Sequence, residues 1–124
     1  MPGEYSPDDA IGKISISDHI LCACVSNSAK VFPGVVSMDK DSAEKALDIL
    51  SRDITAFDGV RITRKEGHPI LDVYIIVEYG TQIPKLAWEL QKRIRNDYTR
   101  ISDEEIEEIN IHIEGVNIKE KFNE

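Results

Sequence analysis

The chain has 124 residues and carries 15 Lys and Arg against 23 Asp and Glu, a net charge of −8; this is the length of one domain and the wrong sign for a protein that grips nucleic acid over a broad surface. Two cysteines two positions apart build no disulfide framework and fit a reducing compartment. The longest apolar run, Val73 to Val77, is far too short to cross a bilayer, and the opening MPGEYSPDDA lacks the basic-then-apolar order of an export signal, so a soluble, cytoplasmic protein is expected.

Residues 1–10 are polar, contain two prolines and read as a flexible N-terminal arm. Ile11, Ile14 and Ile16 then alternate weakly with polar residues as a short first strand. Ser17 is placed as an N-cap. The helix it opens runs from Asp18 to about Phe32 with Ile20, Leu21, Cys24, Val25, Ser28, Val31 and Phe32 on one side, and Pro33-Gly34 stops it. A second helix is predicted from about Asp41. Its stripe is Ala43, Ala46, Leu47, Leu50, Ile54 and Phe57, closed by Asp58-Gly59.

Val60 to Arg64 alternates as a strand, and the turn KEGHP at 65–69 leads into a long one, so the two should form an antiparallel hairpin. In that long strand Leu71, Val73, Ile75, Val77 and Tyr79 share one face, while Asp72, Tyr74, Ile76 and Glu78 share the other. The hydrophobic period then changes from two to 3.6 across Gly80. A third helix follows, with Pro84 in its first turn and a stripe of Ile83, Leu86, Ala87, Leu90 and Ile94. Ile109, Ile111 and Ile113 form one face of a closing strand that ends at Gly115, and 117–124 is a tail. The expected fold is α+β, a two-layer arrangement of a four-stranded mixed sheet with helices on one face, in the order β-α-α-β-β-α-β and with a single domain over residues 11–116.

The third helix carries the main candidate for an interface. Trp88 lies about 140° from Ile83 at 100° per residue, off the core stripe, with Lys92, Arg95 and Thr99 on nearly the same side. Residues 85–102 hold five basic side chains against Glu89 and Asp97, whereas 103–124 hold eight acids against Lys119 and Lys121. Trp88 could therefore anchor a contact in which Lys92 and Arg95 pair with Glu104, Glu105, Glu107 or Glu108 of another copy.

The uncovered sheet face offers the second candidate. If the closing strand lies beside the long one, His112 would approach Tyr74, Asp72 and Glu78, and a histidine beside a carboxylate can do acid–base work. That face, with Tyr74, Glu78 and His112, is the candidate ligand site, although cross-strand polar pairs on a solvated sheet give the same pattern. Arg61, Thr63 and Lys65 flank Tyr74 there, which keeps single-stranded RNA or a nucleotide as an alternative ligand. The spacing of His19, His68 and His112 suits no metal site, and no cofactor is expected. Cys22 and Cys24, two positions apart on a helix, face nearly opposite ways, Cys24 toward the core stripe and Cys22 outward. Phosphate-loop, dinucleotide and nucleophile-elbow patterns are absent from the sequence.

Several spaced segments carry a family resemblance: GKISISDHI and VFPGVVSM (12–20 and 31–38), GVRI with LDVYIIVEYGTQIPKLAWELQKRI (59–62 and 71–94), and INIHIEGV (109–116). Together they resemble the alkaline-shock protein family over residues 11–116, with departures at CACVSNSA (22–29) and SDEEIEE (102–108). The resemblance implies a non-enzymatic bacterial scaffold or interaction protein tied to envelope homeostasis and stress response. No catalytic residues come with it. Expected partners are proteins, either other copies or a membrane-anchored partner that holds the chain at the membrane, with no direct membrane insertion and no nucleic acid.

Overall fold

The computed structural model describes residues 6, 8, 11–45 and 53–118. Its elements in chain order are α1 (Asp18–Lys30), β1 (Val35–Met38), α2 (Lys40–Lys45), β2 (Ile54–Phe57), β3 (Val60–Lys65), β4 (His68–Glu78), α3 (Ile83–Ser102) and β5 (Glu108–Asn117). The fold is α+β, with five strands rather than four in one mixed sheet.

β4 is the centre of that sheet. Along one edge its first half pairs antiparallel with β3, from Lys65↔His68 to Val60↔Val73, and its second half pairs antiparallel with β1, from Met38↔Ile75 to Val35↔Val77. The other edge pairs in parallel with β5 from Ile70↔Glu108 to Glu78↔Asn117. β2 adds to the far side of β3. The alternation read from β4 is the observed one: Leu71, Val73, Ile75 and Val77 are fully buried, and with Leu21 and Val25 of α1 and Leu86, Leu90 and Ile94 of α3 they form the core. Tyr79, expected on that face, lies beyond the strand and is exposed.

Three sequence expectations change. The first concerns residues 11–17, which form no strand; Ile11, Ile14 and Ile16 are exposed. The place beside β4 is taken by Val35–Met38, because Gly34, at a φ of 97°, reverses the chain after α1 and its carbonyl accepts from the Glu78 N–H. Val35, stiff at χ1, then pairs with Val77, and after an irregularity at Val36 the ladder resumes at Ser37.

The second concerns the predicted long helix, which splits. Ala43 is buried on α2, Ala46, Leu47 and Leu50 lie outside the described residues, and Ile54 and Phe57 belong to a strand. Asp58-Gly59 does not close a helix but forms the two-residue turn of a β2–β3 hairpin, with φ of 53° and 84°. Both residues need positive φ in such a turn, and Asp-Gly is the pair that adopts it readily. Glu66-Gly67 repeats the device between β3 and β4, where the hairpin was expected, with φ of 53° and 83°. The resulting order is α-β-α-β-β-β-α-β.

The third is a rotation of α1. Ser17 caps it as predicted, its Oγ accepting from the Ile20 N–H at 3.3 Å. The buried side is however Leu21, Cys22, Val25, Ser26 and Ala29, so Cys22 faces the sheet and Cys24 is the partly exposed thiol, the reverse of the expectation. Small side chains at 22, 26 and 29 let the helix approach the β2–β3 hairpin. The Cys22 Sγ reaches 3.7 Å from the Thr55 carbonyl, and Ser26 donates to Asp58 at 2.7 Å.

Candidate functional site

The parallel register of β4 and β5 sets Tyr74 directly beside His112. Their rings stack with centroids 4.4 Å apart and planes within 10°. His112 Nε2 lies 2.8 Å from Asp72 Oδ1, and the same oxygen accepts from Asn110 Nδ2 at 3.2 Å. The Arg61 guanidinium stands 3.5 Å from the other Asp72 oxygen and 5.7 Å from the Tyr74 ring centroid. Asp72 and Tyr74 are buried, and burial pushes the Tyr74 hydroxyl above its ordinary pKa, against the opposing pull of Arg61. Glu78 takes no part: it ends β4 opposite Asn117 and is exposed.

A histidine held on a carboxylate is chemically capable of proton transfer. Here both oxygens of Asp72 are already committed to neighbours on the sheet, one face of the imidazole is covered by Tyr74, and the cluster reads as five side chains in mutual contact across three strands, β3, β4 and β5. The described grooves of about 430, 290 and 250 Å³ lie elsewhere, between α1 and α3, beside Asp18 and Arg64, and beside Phe32 and Pro33. His19 is exposed with its ring 4.2 Å from Phe57, and His68 opens β4 at the surface.

α3 arises from a strong 3.6-residue period, and its burial follows that period: Leu86, Leu90, Ile94, Asp97 and Tyr98 face inward. Trp88 stands on the opposite side and is 59 % exposed, with Lys92 Nζ 4.4 Å above its ring. Arg95 is exposed beside it. Of the acids considered as its partners, Glu104 is already held by Arg64 and Tyr98, and Glu108 accepts from Asn110. Glu105 and Glu107 remain on the surface.

Two charged residues that the sequence reading did not single out organise this side of the molecule. Asp97, 8 % exposed, accepts from Ser28 Oγ of α1 at 2.7 Å and from Arg93 and Arg100 at 3.1 and 3.2 Å. It lines the groove between the helices with Ile20, Cys24, Val31 and Ile101. Its place three residues after Ile94 on the buried stripe was the available signal. Arg64 bridges the start of α1 to the α3–β5 loop, bonding Asp18 at 2.8 and 3.2 Å and Glu104 at 2.7 and 3.0 Å. The pairing holds the Arg64 guanidinium well above its usual pKa and, through the Arg64 donors first, Glu104 below the usual carboxylate range. No sequence pattern announces that bridge, whose partners are 46 and 40 positions away.

Among the described residues no group of three or more His, Cys, Asp or Glu could hold a metal ion, and no helix is long and apolar enough to cross a membrane. Residues 6–118 match the model of the alkaline shock protein 23 family, described as having a cell envelope-related function. The uncharacterised protein YqhY of Bacillus subtilis is 28 % identical over 117 residues, 94 % of this chain and 86 % of that protein. YloU of the same organism, also uncharacterised, is 29 % identical over 109 residues, 86 % of this chain and 90 % of the other. The uncharacterised Streptococcus pyogenes protein Spy1535 is 26 % identical over 107 residues, covering 86 % and 80 %. No solved structure gave a significant match.

Proposed function

We propose that this chain, which belongs to the alkaline shock protein 23 family and with it has a cell envelope-related function, serves that function without catalysis, as a cytoplasmic scaffold that works by contact through the outward side of α3. The observation that carries the reading is Trp88. It is the sole tryptophan of the chain, it is 59 % exposed, and it stands on the side of α3 away from the buried stripe. Tryptophan and arginine are the side chains that most often dominate contact surfaces, and Lys92 and Arg95 give this one a charge that a partner can recognise.

The contact between His112 and Asp72 at 2.8 Å supports the competing reading, an acid–base site on the sheet. One experiment separates the two. A fluorescent fusion of the chain is followed in Bacillus subtilis, as wild type, as Trp88→Ala with Arg95→Glu, and as His112→Ala. The contact reading expects accumulation at the cell periphery that the α3 variant loses and the His112 variant keeps. A peripheral signal unchanged in the α3 variant would sink it.

A further inference from the structure

The outward surface of the helices combines cations with apolar area that the core does not use. At 100° per residue Arg95, Trp88, Lys92, Lys85, Arg100 and Arg93 fall within an arc of about 160° on α3, and Glu89 is the one acid among them. Residues 85–102 sum to +3 in a chain of −8, so the remainder sums to −11. Arg93 and Arg100 reach Asp97 with side chains still 50 % and 76 % exposed. Across the groove, Ile20 and Val31 of α1 are 50 % and 63 % exposed, and Ile101 shows at the end of α3. Three large aliphatic side chains and a tryptophan thus stand exposed around a basic surface.

We infer that this face docks on an anionic lipid bilayer. Trp88 sits at headgroup level, where its amphipathic ring is at home, Lys85, Lys92, Arg93, Arg95 and Arg100 lie against lipid phosphates, and Ile20 and Val31 enter the acyl boundary. The inference rests on the contact reading of α3 and names its partner. A bilayer presents negative charge over an extended plane, takes lysines and arginines without matched geometry, and accepts aliphatic side chains that water excludes. RNA has no place for isoleucine and valine. An acidic protein would need carboxylates in register with five cations as well as a pocket for the indole. The −11 remainder is repelled by the same lipid surface, so only one face can approach it.

Vesicles test this on the full chain, because the lone tryptophan reports contact directly. Co-sedimentation and Trp88 emission are read with vesicles of phosphatidylglycerol in phosphatidylcholine, with phosphatidylcholine alone, and at low and high salt. Expected are binding to the anionic vesicles only, loss of binding at high salt, and a blue shift of emission in the bound protein. Lys92→Gln and Arg95→Gln should each weaken binding about fivefold, the worth of one basic residue near such a surface. Three outcomes overturn the inference: no sedimentation with anionic vesicles at low salt, equal binding to both compositions, or bound protein with unshifted Trp88 emission. If vesicle binding fails while the α3 variant still loses the cell periphery, the face contacts a protein and the contact reading stands without the lipid. Light scattering that finds an oligomer dissolved by Trp88→Ala would identify that protein as a second copy.

Discussion

Replacing Arg64 by Leu removes a guanidinium that ties together three separate parts of the chain: Asp18 at the start of α1, its own strand β3, and Glu104 after α3. The substitution keeps an apolar stem and leaves two carboxylates facing each other without their cation. Truncating one partner of a buried pair costs about 3–5 kcal/mol and an exposed pair about 0–1. With side chains 23 %, 24 % and 37 % exposed for Arg64, Asp18 and Glu104, solvent screening places this loss between those limits, at about 2 kcal/mol. Urea unfolding at pH 7 measures it, and a double-mutant cycle with Glu104→Gln isolates the coupling. The pH dependence has a definite sign. The folded Glu104 carboxyl lies below its ordinary value of 4.5, chiefly because Arg64 donates to it, with Tyr98 adding to that and burial opposing. Its contribution is complete above that value and is lost as pH falls through the lower folded one. The gap between wild type and Arg64→Leu should therefore narrow on acidification below about pH 4.5. A loss below about 0.5 kcal/mol at pH 7, the scatter expected of an ordinary surface change, or a coupling near zero would refute the reasoning.

Ile75→Ala and Leu90→Ala, both fully buried in the core shared by β4 and α3, should each destabilise by about 2–5 kcal/mol in the same assay. Gly59→Ala should lower the melting temperature, since the site has a φ of 84° and a Cβ there would stand 2.7 Å from the Cβ of Met38; a variant as stable as wild type would refute a positive-φ turn between β2 and β3. Thiol labelling of the native protein at pH 8, followed by mass spectrometry, should modify Cys24 first. Cys22 is inaccessible, and burial pushes its thiol up to about 12, so it should react only on unfolding; equal labelling rates would contradict the rotation assigned to α1.

Much of the molecule was legible in local pattern. The period-two run in β4, the period-3.6 run in α3, the Ser17 cap and the β3–β4 hairpin depend on neighbours a few residues apart, and a chain shows such relations directly. The same holds for Trp88, whose position off the α3 stripe followed from counting. The adjacency of Tyr74 and His112 was legible only conditionally, because it required β5 to lie beside β4. Asp58-Gly59 shows how local evidence misleads: a helical spacing through Ile54 and Phe57 outweighed the dipeptide that most strongly marks a hairpin.

What the sequence determined by itself is therefore the α+β class, the central strand and helix of the core, and an off-core tryptophan on a basic helix, because hydrophobic periodicity is a property of short stretches. The tertiary structure alone decided which side of α1 is buried, since apolar residues occur on two sides of that helix and the sheet selects the one whose small side chains at 22, 26 and 29 permit close approach. It alone chose Val35–Met38 over residues 11–17 as the strand beside β4. It alone joined Arg64 to Asp18 and Glu104 and Ser28 to Asp97, pairings between groups 40 to 69 positions apart that come together only when the whole chain has folded.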